Sequence, residues 1–303
     1  MGGMNRMSRR AGLASSIVLA LAACSSDSND ASGVGTVQII VVPEESITDG
    51  IEPGTGDENV QDGWAIAYVR YLVAVGNFRA RRSDKGTTLA DPAVYVLDLK
   101  NAPSSGYVTK EFTGVAAVRW DKFGYDVANA SPGAIALAPT TQADLDLMIG
   151  KRWSVYFEGK ATKGADQISF AWGFTAGTSF DDCATSEGQS GFAVPSSGTV
   201  QIKPTLHGDH QYFDNVTQGV EKTSRRAEWM KTCDNNGDKT LTLDELRQCD
   251  PARALPTPPY DLAAVRDQDG DGKITVYDYV ATQMRTFGDY QGDGECPSRA
   301  ALP

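Results

Sequence analysis

The sequence predicts a mainly β protein with a small α domain: an antiparallel β-sandwich over residues 34–215, followed by a pair of loop-and-helix units over residues 219–290. Three observations lead to this prediction. Residues 34–215 consist of short alternating apolar segments separated by Gly, Pro, Ser and Asp, with few patterns of helical period. Two acidic loops of twelve residues follow. The first 33 residues have the composition of an export signal and a tether, so the folded part begins after them.

Residues 1–23 predict a secretory signal peptide. Three arginines and no acidic residue precede position 11, and Ala11 to Ala23 is a run of small and apolar residues. This run is too short to span a bilayer as a stable helix. Its end, Leu21-Ala22-Ala23-Cys24, resembles the bacterial lipobox, which implies that Cys24 is lipidated and becomes the mature N-terminus. A plain signal peptide with a coincidental cysteine is the alternative.

Residues 24–33 are polar and without apolar periodicity, which predicts a flexible tether. Removal of residues 1–23 leaves 25 basic and 39 acidic residues, a net charge of −14. Such acidity argues against a nucleic-acid partner and against a basic membrane-docking surface, so the lipid alone would reach the membrane. Ser25 lacks the aspartate that retains lipoproteins at the inner membrane in some bacteria. We therefore expect a lipid anchor in the outer membrane of a bacterial cell envelope.

The predicted sandwich has about seven to nine strands, of jelly-roll or immunoglobulin-like kind. Trp153 and Trp172 alternate with aliphatic residues, which favours core packing over a sugar-stacking platform. One short helix is expected at Thr141 to Ile149. The strand candidates are Thr36–Val42, Trp64–Phe78, Ala93–Leu99, Val115–Val127, Trp153–Phe157, Ile168–Phe174 and Gly198–Leu206.

The only two histidines of the chain lie in the segment His207-Gly208-Asp209-His210. The strand that ends at Leu206 would place His207 on its wetter face, and both imidazoles could reach one metal only if the chain turns at Gly208. Together with Asp209 or Asp214 they would then suit Zn²⁺, Cu²⁺ or Fe²⁺. A structural turn with hydrogen-bonded histidines is the other interpretation.

Two further acidic segments are read as having no binding role. Ser46–Asp62 is long for a connection, and long loops are often functional, but a solvated charged loop is the simpler interpretation. Asp289–Gly294 imitates the first half of one of the twelve-residue acidic loops and lacks a closing carboxylate before the chain ends. Residues 291–303 are therefore expected to form a C-terminal tail.

The loops Asp234–Glu245 and Asp267–Asp278 both place oxygen-bearing side chains at positions 1, 3, 5, 9 and 12. Hard cations such as Ca²⁺ require this arrangement, and crowded carboxylates would repel one another without a dication. The pattern resembles the EF-hand, and the separation of the two copies is similar to that of an EF-hand pair or a dockerin-type duplication. Solvated Asp/Gly turns are the alternative. The resemblance implies these metal ligands, with Thr240 and Lys273 acting through backbone carbonyls: Asp234, Asn236, Asp238, Thr240, Thr242, Glu245, Asp267, Asp269, Asp271, Lys273, Thr275 and Asp278.

The two loops depart from the EF-hand pattern in different ways. Lys239 replaces glycine at position 6 of the first loop, at a cost of about 1 kcal/mol of backbone strain. Gly272 supplies the turn in the second loop, but Asp278 closes it with a shorter arm than Glu. We expect affinities on the order of 10⁻⁵ to 10⁻³ M. The resemblance also implies that Leu241 and Ile274, both at position 8, pair across a short bridge between the loops.

Four cysteines remain after Cys24, and an even count in an exported chain favours two disulfides, with three connectivities open. In an EF-hand, Cys233 and Cys249 would both face the small core between the helices. The resemblance therefore favours a Cys233–Cys249 bond, which leaves Cys183 to pair with Cys296. Free buried thiols are the alternative.

No nucleophile elbow, phosphate-binding glycine loop, dinucleotide fingerprint or zinc-protease helix is present, so a binding or structural role ranks above an enzyme. The sequence thus predicts a non-enzymatic, calcium-binding envelope lipoprotein. Two alternatives remain. One is a transition-metal binding protein that uses the histidine segment, and the other is a calcium-dependent module that docks to another envelope protein.

Overall fold

The structure is a computed structural model, and it describes residues 33–216 and 223–300. It confirms a mainly β chain with a minor helical part. Cys24, the signal peptide and nearly all of the tether lie outside the described residues. The strands are β1 (Val34–Pro43), β2 (Ala65–Arg81), β3 (Thr88–Asp98), β4 (Tyr107–Ala116), β5 (Arg119–Trp120), β6 (Lys122–Val127), β7 (Ile135–Ala136), β8 (Val155–Lys163), β9 (Asp166–Phe174), β10 (Thr178–Phe180), β11 (Phe192–Ala193), β12 (Thr199–Ile202), β13 (Pro204–Leu206), β14 (Thr240–Leu241), β15 (Gly288–Tyr290) and β16 (Ser298–Ala300).

The helices are short, and most of them lie in the last quarter of the chain. They are α1 (Glu45–Thr48), α2 (Gln142–Lys151), α3 (Glu228–Cys233), α4 (Leu243–Gln248), α5 (Pro251–Ala254) and α6 (Val276–Gln283). Two 3₁₀ turns accompany them, at Leu99–Asn101 and His210–Tyr212. None of the helices within the described ranges has the length and apolar character needed to cross a bilayer.

The long strand β2 organises the larger sheet. Its first half pairs with β8 and its second half lies between β3 and β6, all antiparallel. A bulge interrupts the register between Gly76 and Phe78, where Asn77 adopts a φ of 50°. Strand β8 continues to β9, and β6 continues through β10 to β16.

A second sheet is built around β1, and it departs from the expected antiparallel pattern. Strand β1 pairs antiparallel with β4 but parallel with both β12 and β13. Strand β13 then pairs with β15 near the C-terminus. The order of strands along this sheet could not be read from the sequence, because the partners of β1 are more than sixty residues away along the chain.

Most strand candidates lie where the sequence placed them, but two are broken. Val115–Val127 contains the end of β4, the two-residue β5 and then β6. Gly198–Leu206 is divided at Lys203 into β12 and β13. The expected helix is confirmed as α2, and it begins with a capping box in which Thr141 accepts from the Asp144 N–H and the Asp144 carboxylate accepts from Thr141.

One continuous hydrophobic core includes residues from both sheets and from the C-terminal helices. Trp172 of β9 is fully buried and stacks on Trp229 of α3 with ring centroids 5.9 Å apart. Trp172 thus serves core packing, as expected, while Trp153 is partly buried and lies flat on Tyr156. The two segments that the sequence divides near residue 215 therefore share a core within the described residues.

The C-terminal residues do not form the expected tail. Strand β16 pairs with β10, and Cys296 is bonded to Cys183. The second disulfide joins Cys233 to Cys249, so both expected pairs are confirmed. The disulfide and the strand pairing together fix the chain end to the larger sheet.

Candidate metal centre

Both acidic loops fold through hydrogen bonds from their own backbone to their own carboxylates. In the first loop Asp234 accepts from the N–H groups of Gly237 and Lys239, at 2.9 and 3.1 Å. In the second loop Asp267 accepts from Gly270 and Gly272 in the same way, at 2.6 and 2.8 Å. Position 1 therefore receives N–H groups from positions 4 and 6 in both loops.

The remaining ligand positions repeat this correspondence. At position 5, Asp238 accepts from the Thr240 N–H and Asp271 accepts from the Lys273 N–H, both at 2.8 Å. At position 3, Asn236 accepts from the N–H two residues on, and Asp269 does so at a longer distance. Two segments of different sequence thus adopt one loop conformation, which orients their side-chain oxygens in corresponding ways.

Backbone strain lies where the sequence predicts it. Gly272 adopts a φ of 81° at position 6, and Lys239 adopts 67° at the same position of the first loop. Lysine is rarely found in this left-handed region, since its Cβ approaches the following carbonyl. The first loop is therefore the more strained of the two.

The closing carboxylates are buried and cap the helices that follow. Glu245 Oε2 accepts from the backbone N–H and the hydroxyl of Thr242, both at 2.9 Å. Asp278 Oδ2 accepts from both groups of Thr275 at 2.8 Å, and its Oδ1 accepts from the Gln268 N–H at 2.7 Å. Both threonines at position 9 are thus helix caps.

Glu245 differs from Asp278 in one respect that bears on metal binding. Its Oε1 is buried without a hydrogen-bond partner, which would cost about 1–3 kcal/mol if nothing else satisfied it. Both oxygens of Asp278 already accept hydrogen bonds. The first loop therefore has a buried carboxylate oxygen at position 12 that is available to a cation, and the second does not.

The second loop concentrates negative charge at the surface. Carboxylate oxygens of Asp267, Asp269 and Asp271 lie within 4.8 Å of one another, and all three residues are exposed. At that distance each pair repels by about 1 kcal/mol even in water. The N–H groups of Gly272 and Gly270 lower the pKa of Asp267, so that carboxylate stays ionised. The donor set consists of hard oxygens and suits Ca²⁺.

The larger sheet holds the first loop in place. Strand β14, which contains positions 7 and 8 of this loop, pairs parallel with Ser169 and Phe170 of β9. Leu241 is fully buried, and its carbonyl accepts the Trp172 indole N–H at 2.7 Å. The expected pairing of Leu241 with Ile274 is wrong, because Leu241 uses the edge of β9 and Ile274 is 43% exposed.

The second loop is attached to the first through side chains. Arg247 of α4 donates to Asp269 at 3.1 Å and lies over the Tyr277 ring at 4.3 Å. Tyr277 in turn packs against Phe174 of β9. The loop is followed by α6, but within the described residues no helix leads directly into it, since α5 ends at Ala254. The loops are therefore side by side without the usual strand bridge.

The chain turns at Gly208, and the two histidines lie close together. Their ring centroids are 5.4 Å apart. A side chain at Gly208 would collide with Ile47, so close approach requires glycine there. His207 is not on a wetter face but is only 7% exposed. Glu44, which precedes α1, and Asp289 of β15 lie against its ring and shield it from solvent.

His207 lies between two carboxylates. Its Nδ1 is 2.9 Å from Glu44 Oε2, and its Nε2 is 3.1 Å from Asp289 Oδ2. Burial alone would lower the pKa of His207, but its contacts with Asp289 and Glu44 raise that pKa well above its usual value. Burial would raise the pKa of Glu44, yet His207 lowers it to about 2. Without a metal, His207 is therefore a buried imidazolium.

Neighbouring groups complete this cluster. Desolvation lowers the pKa of His210 to about 4, so its ring is neutral. Asp209 is fully buried and pairs with Arg225 at 2.5 Å. Asp214 is not brought to the histidines; it accepts from the Ser224 N–H and pairs with Arg226. Ligand atoms of His207, Asp209 and His210 lie within 4.8 Å of one another.

The acidic loop Ser46–Asp62 is not simply solvated. Asp62 Oδ2 accepts from the N–H groups of Ala227 and Glu228, both at 2.8 Å, and so caps α3. Glu58 pairs with Arg225 at 2.6 Å. The loop thus ties the start of the C-terminal helices to the sheets.

Sequence reasoning singled out the acidic loops and both histidines but missed the groups around them. Glu44, Arg225 and Arg247 had no local pattern that pointed to a site, since their partners lie far away along the chain. Asp289 could have been found, because it begins the run that imitates a calcium loop.

Comparison of the chain with protein-family models, with curated proteins and with solved structures gave no match.

Proposed function

We propose that this protein is a calcium-binding lipoprotein of the bacterial cell envelope, in which a β-sandwich carries an EF-hand pair with a modified connection. The protein acts as a non-enzymatic binding or structural module. The observation that carries the proposal is the matching hydrogen-bond network of the two loops, in which position 1 accepts from positions 4 and 6.

Calcium has a structural role in this proposal. The side-chain ligands at positions 1, 3 and 5 would hold the ion, with Glu245 or Asp278 closing each site. Bound Ca²⁺ would relieve the repulsion among the exposed carboxylates and satisfy the buried Oε1 of Glu245. With a dissociation constant of about 10⁻⁴ M, about 2 mM Ca²⁺ would stabilise the fold by about 1.8 kcal/mol per site.

Calorimetric titration of the chelated mature chain tests the proposal. We expect two Ca²⁺ per chain, and a melting temperature that rises by roughly 4–7 °C per occupied site in about 2 mM Ca²⁺. Glu245→Gln should remove one ion and Asp278→Asn should weaken the other. Mg²⁺ at the same concentration serves as the control. Absence of binding heat, together with equal melting temperatures in chelator and in Ca²⁺, would refute the proposal.

The envelope location rests on the sequence alone. The lipobox resemblance at Leu21 to Cys24 supports a lipid anchor, and the serine at position 25 supports the outer membrane. Cys24→Ser should move the protein from the membrane fraction to the soluble fraction of the envelope. Mass spectrometry of the N-terminal peptide should show acyl chains on Cys24, and an unmodified peptide would contradict the anchor.

The docking alternative gains no support from the geometry. The apolar residues of and after α6 that would form a docking face are buried in the core: Val276, Tyr279, Val280, Met284 and Phe287. A pull-down from envelope extract with and without Ca²⁺ still separates the two functions, because only the docking module requires a calcium-dependent protein partner.

A further inference from the structure

The second cluster of metal-binding groups lies around His207, away from the calcium loops. Its residues come from the turn after β13, from the end of β1 and from β15. The end of β1 is far from the other two segments along the chain. Ligand atoms of His207, Asp209 and His210 lie within 4.8 Å of one another. Two imidazoles and one carboxylate are a donor set that suits borderline dications such as Zn²⁺ better than Ca²⁺.

Hydrogen bonds at Nδ1 orient both rings. His207 Nδ1 is 2.9 Å from Glu44 Oε2, and His210 Nδ1 is 2.8 Å from Thr286 Oγ1. The Thr286 hydroxyl already donates to the Gln283 carbonyl, so it accepts from His210. Nε2 is then the nitrogen of His210 that carries the lone pair. Metal-binding histidines typically have such an acceptor on the other ring nitrogen.

Buried atoms that face this cluster lack hydrogen-bond partners. Oδ1 of Asp209 is one of them, although the residue is fully buried and its Oδ2 pairs with Arg225. Nε2 of His207 is another, since Asp289 is within ion-pair distance but not in hydrogen-bonding geometry. Buried polar atoms without partners are rare in folded proteins, and each one calls for an explanation such as a bound ion.

The local charge also favours a cation. Four carboxylates lie around His207, and among the described residues Arg225 is the only arginine or lysine that forms an ion pair with any of them. His210 is partly exposed and Asp293 is exposed, which leaves a route from solvent. The four carboxylates are Glu44, Asp209, Asp289 and Asp293.

We propose that His207, His210 and Asp209 form a transition-metal site, separate from the calcium loops, which binds one dication of the Zn²⁺ class. Glu44 and Thr286 position the two imidazoles, and Arg225 positions the carboxylate of Asp209. Asp289, 3.1 Å from His207 Nε2, supplies a further oxygen next to the metal. The site does not depend on calcium binding.

Titration of the calcium-saturated mature chain with Zn²⁺ tests the proposal, because excess Ca²⁺ blocks the acidic loops. We expect one Zn²⁺ per chain, and at least a tenfold weaker affinity in His210→Gln. Thr286→Val should also weaken binding, since it removes the acceptor for His210. Asp146→Asn, at an exposed position of α2, is the matched control, which should leave Zn²⁺ affinity unchanged.

Cu²⁺ supplies a second readout. Its electron paramagnetic resonance spectrum should show coupling to two imidazole nitrogens in the wild type and to one in His210→Gln. No Zn²⁺ binding by the folded wild type would overturn the site. The same conclusion follows if His210→Gln binds Zn²⁺ as tightly as the wild type, or if Asp146→Asn abolishes binding.

Discussion

Leu241 and Ile274 occupy the same position in the two loops, yet their alanine variants should differ strongly. Leu241 is fully buried against the larger sheet, whereas Ile274 is 43% exposed. Replacement of a buried leucine by alanine costs about 2–5 kcal/mol, while a surface change usually stays within about 0.5 kcal/mol. We therefore expect Leu241→Ala to cost about 3 kcal/mol, and Ile274→Ala to cost a small fraction of that.

Urea unfolding in saturating Ca²⁺ measures both values. For a folded chain of this size, about 3 kcal/mol corresponds to a melting temperature lower by roughly 6–12 °C. The double variant provides the sharper test. Because Leu241 lies in the main core and Ile274 does not, their effects should add within about 0.5 kcal/mol.

A strand bridge between the loops would give a different result. Leu241 and Ile274 would then contact each other, the single variants would have similar costs, and the double variant would show a coupling energy of about 0.5–3 kcal/mol. Similar costs together with such a coupling would refute the placement of Leu241 on the edge of β9.

Three further predictions concern the parts that hold the fold together. Replacing Cys183 and Cys296 by serine should lower the unfolding free energy by about 4–5 kcal/mol, because the bond closes a long loop; denaturant unfolding measures this loss. Arg225→Met should cost about 3–5 kcal/mol, since it leaves the buried Asp209 carboxylate without its cation; thermal unfolding checks it. Burial alone would raise the pKa of Glu228, but hydrogen bonds from Lys163 and Trp64 lower it. The ionised Glu228 carboxylate therefore stabilises the fold above about pH 4.5, and this stabilisation disappears as the pH falls through the lowered pKa. The difference in unfolding free energy between wild type and Glu228→Gln should thus be below about 1 kcal/mol at pH 7, since this carboxylate is half exposed, and should vanish in acid.

Each of these predictions has a contradicting outcome. A disulfide variant as stable as the wild type would mean that the chain end adds nothing to the fold. The double variant Arg225→Met/Asp209→Leu should recover part of the stability lost in Arg225→Met, and no recovery would show that the ion pair is not the cause. A Glu228→Gln difference that grows in acid would reverse the sign derived from the lowered pKa.

The sequence determined the features whose partners are close along the chain. Each acidic loop is a self-contained set of carboxylates and backbone N–H groups, so the spacing of Asp267, Gly272 and Asp278 is enough to specify its conformation. The same holds for α2, which begins at the capping threonine Thr141. Alternation in strands such as Ile168–Phe174 indicated which side chains are buried, because the pleat sends them to one face.

Only the tertiary structure decided which distant groups meet. Leu241 pairs with β9 because that sheet edge is available and lets it bury its side chain, a choice that no local pattern records. His207 lies between two carboxylates only because Glu44 and Asp289 arrive from opposite ends of the chain. Strand pairing and buried electrostatics depend on contacts between segments far apart in sequence, and in a single sequence such contacts leave no periodic pattern that could predict them.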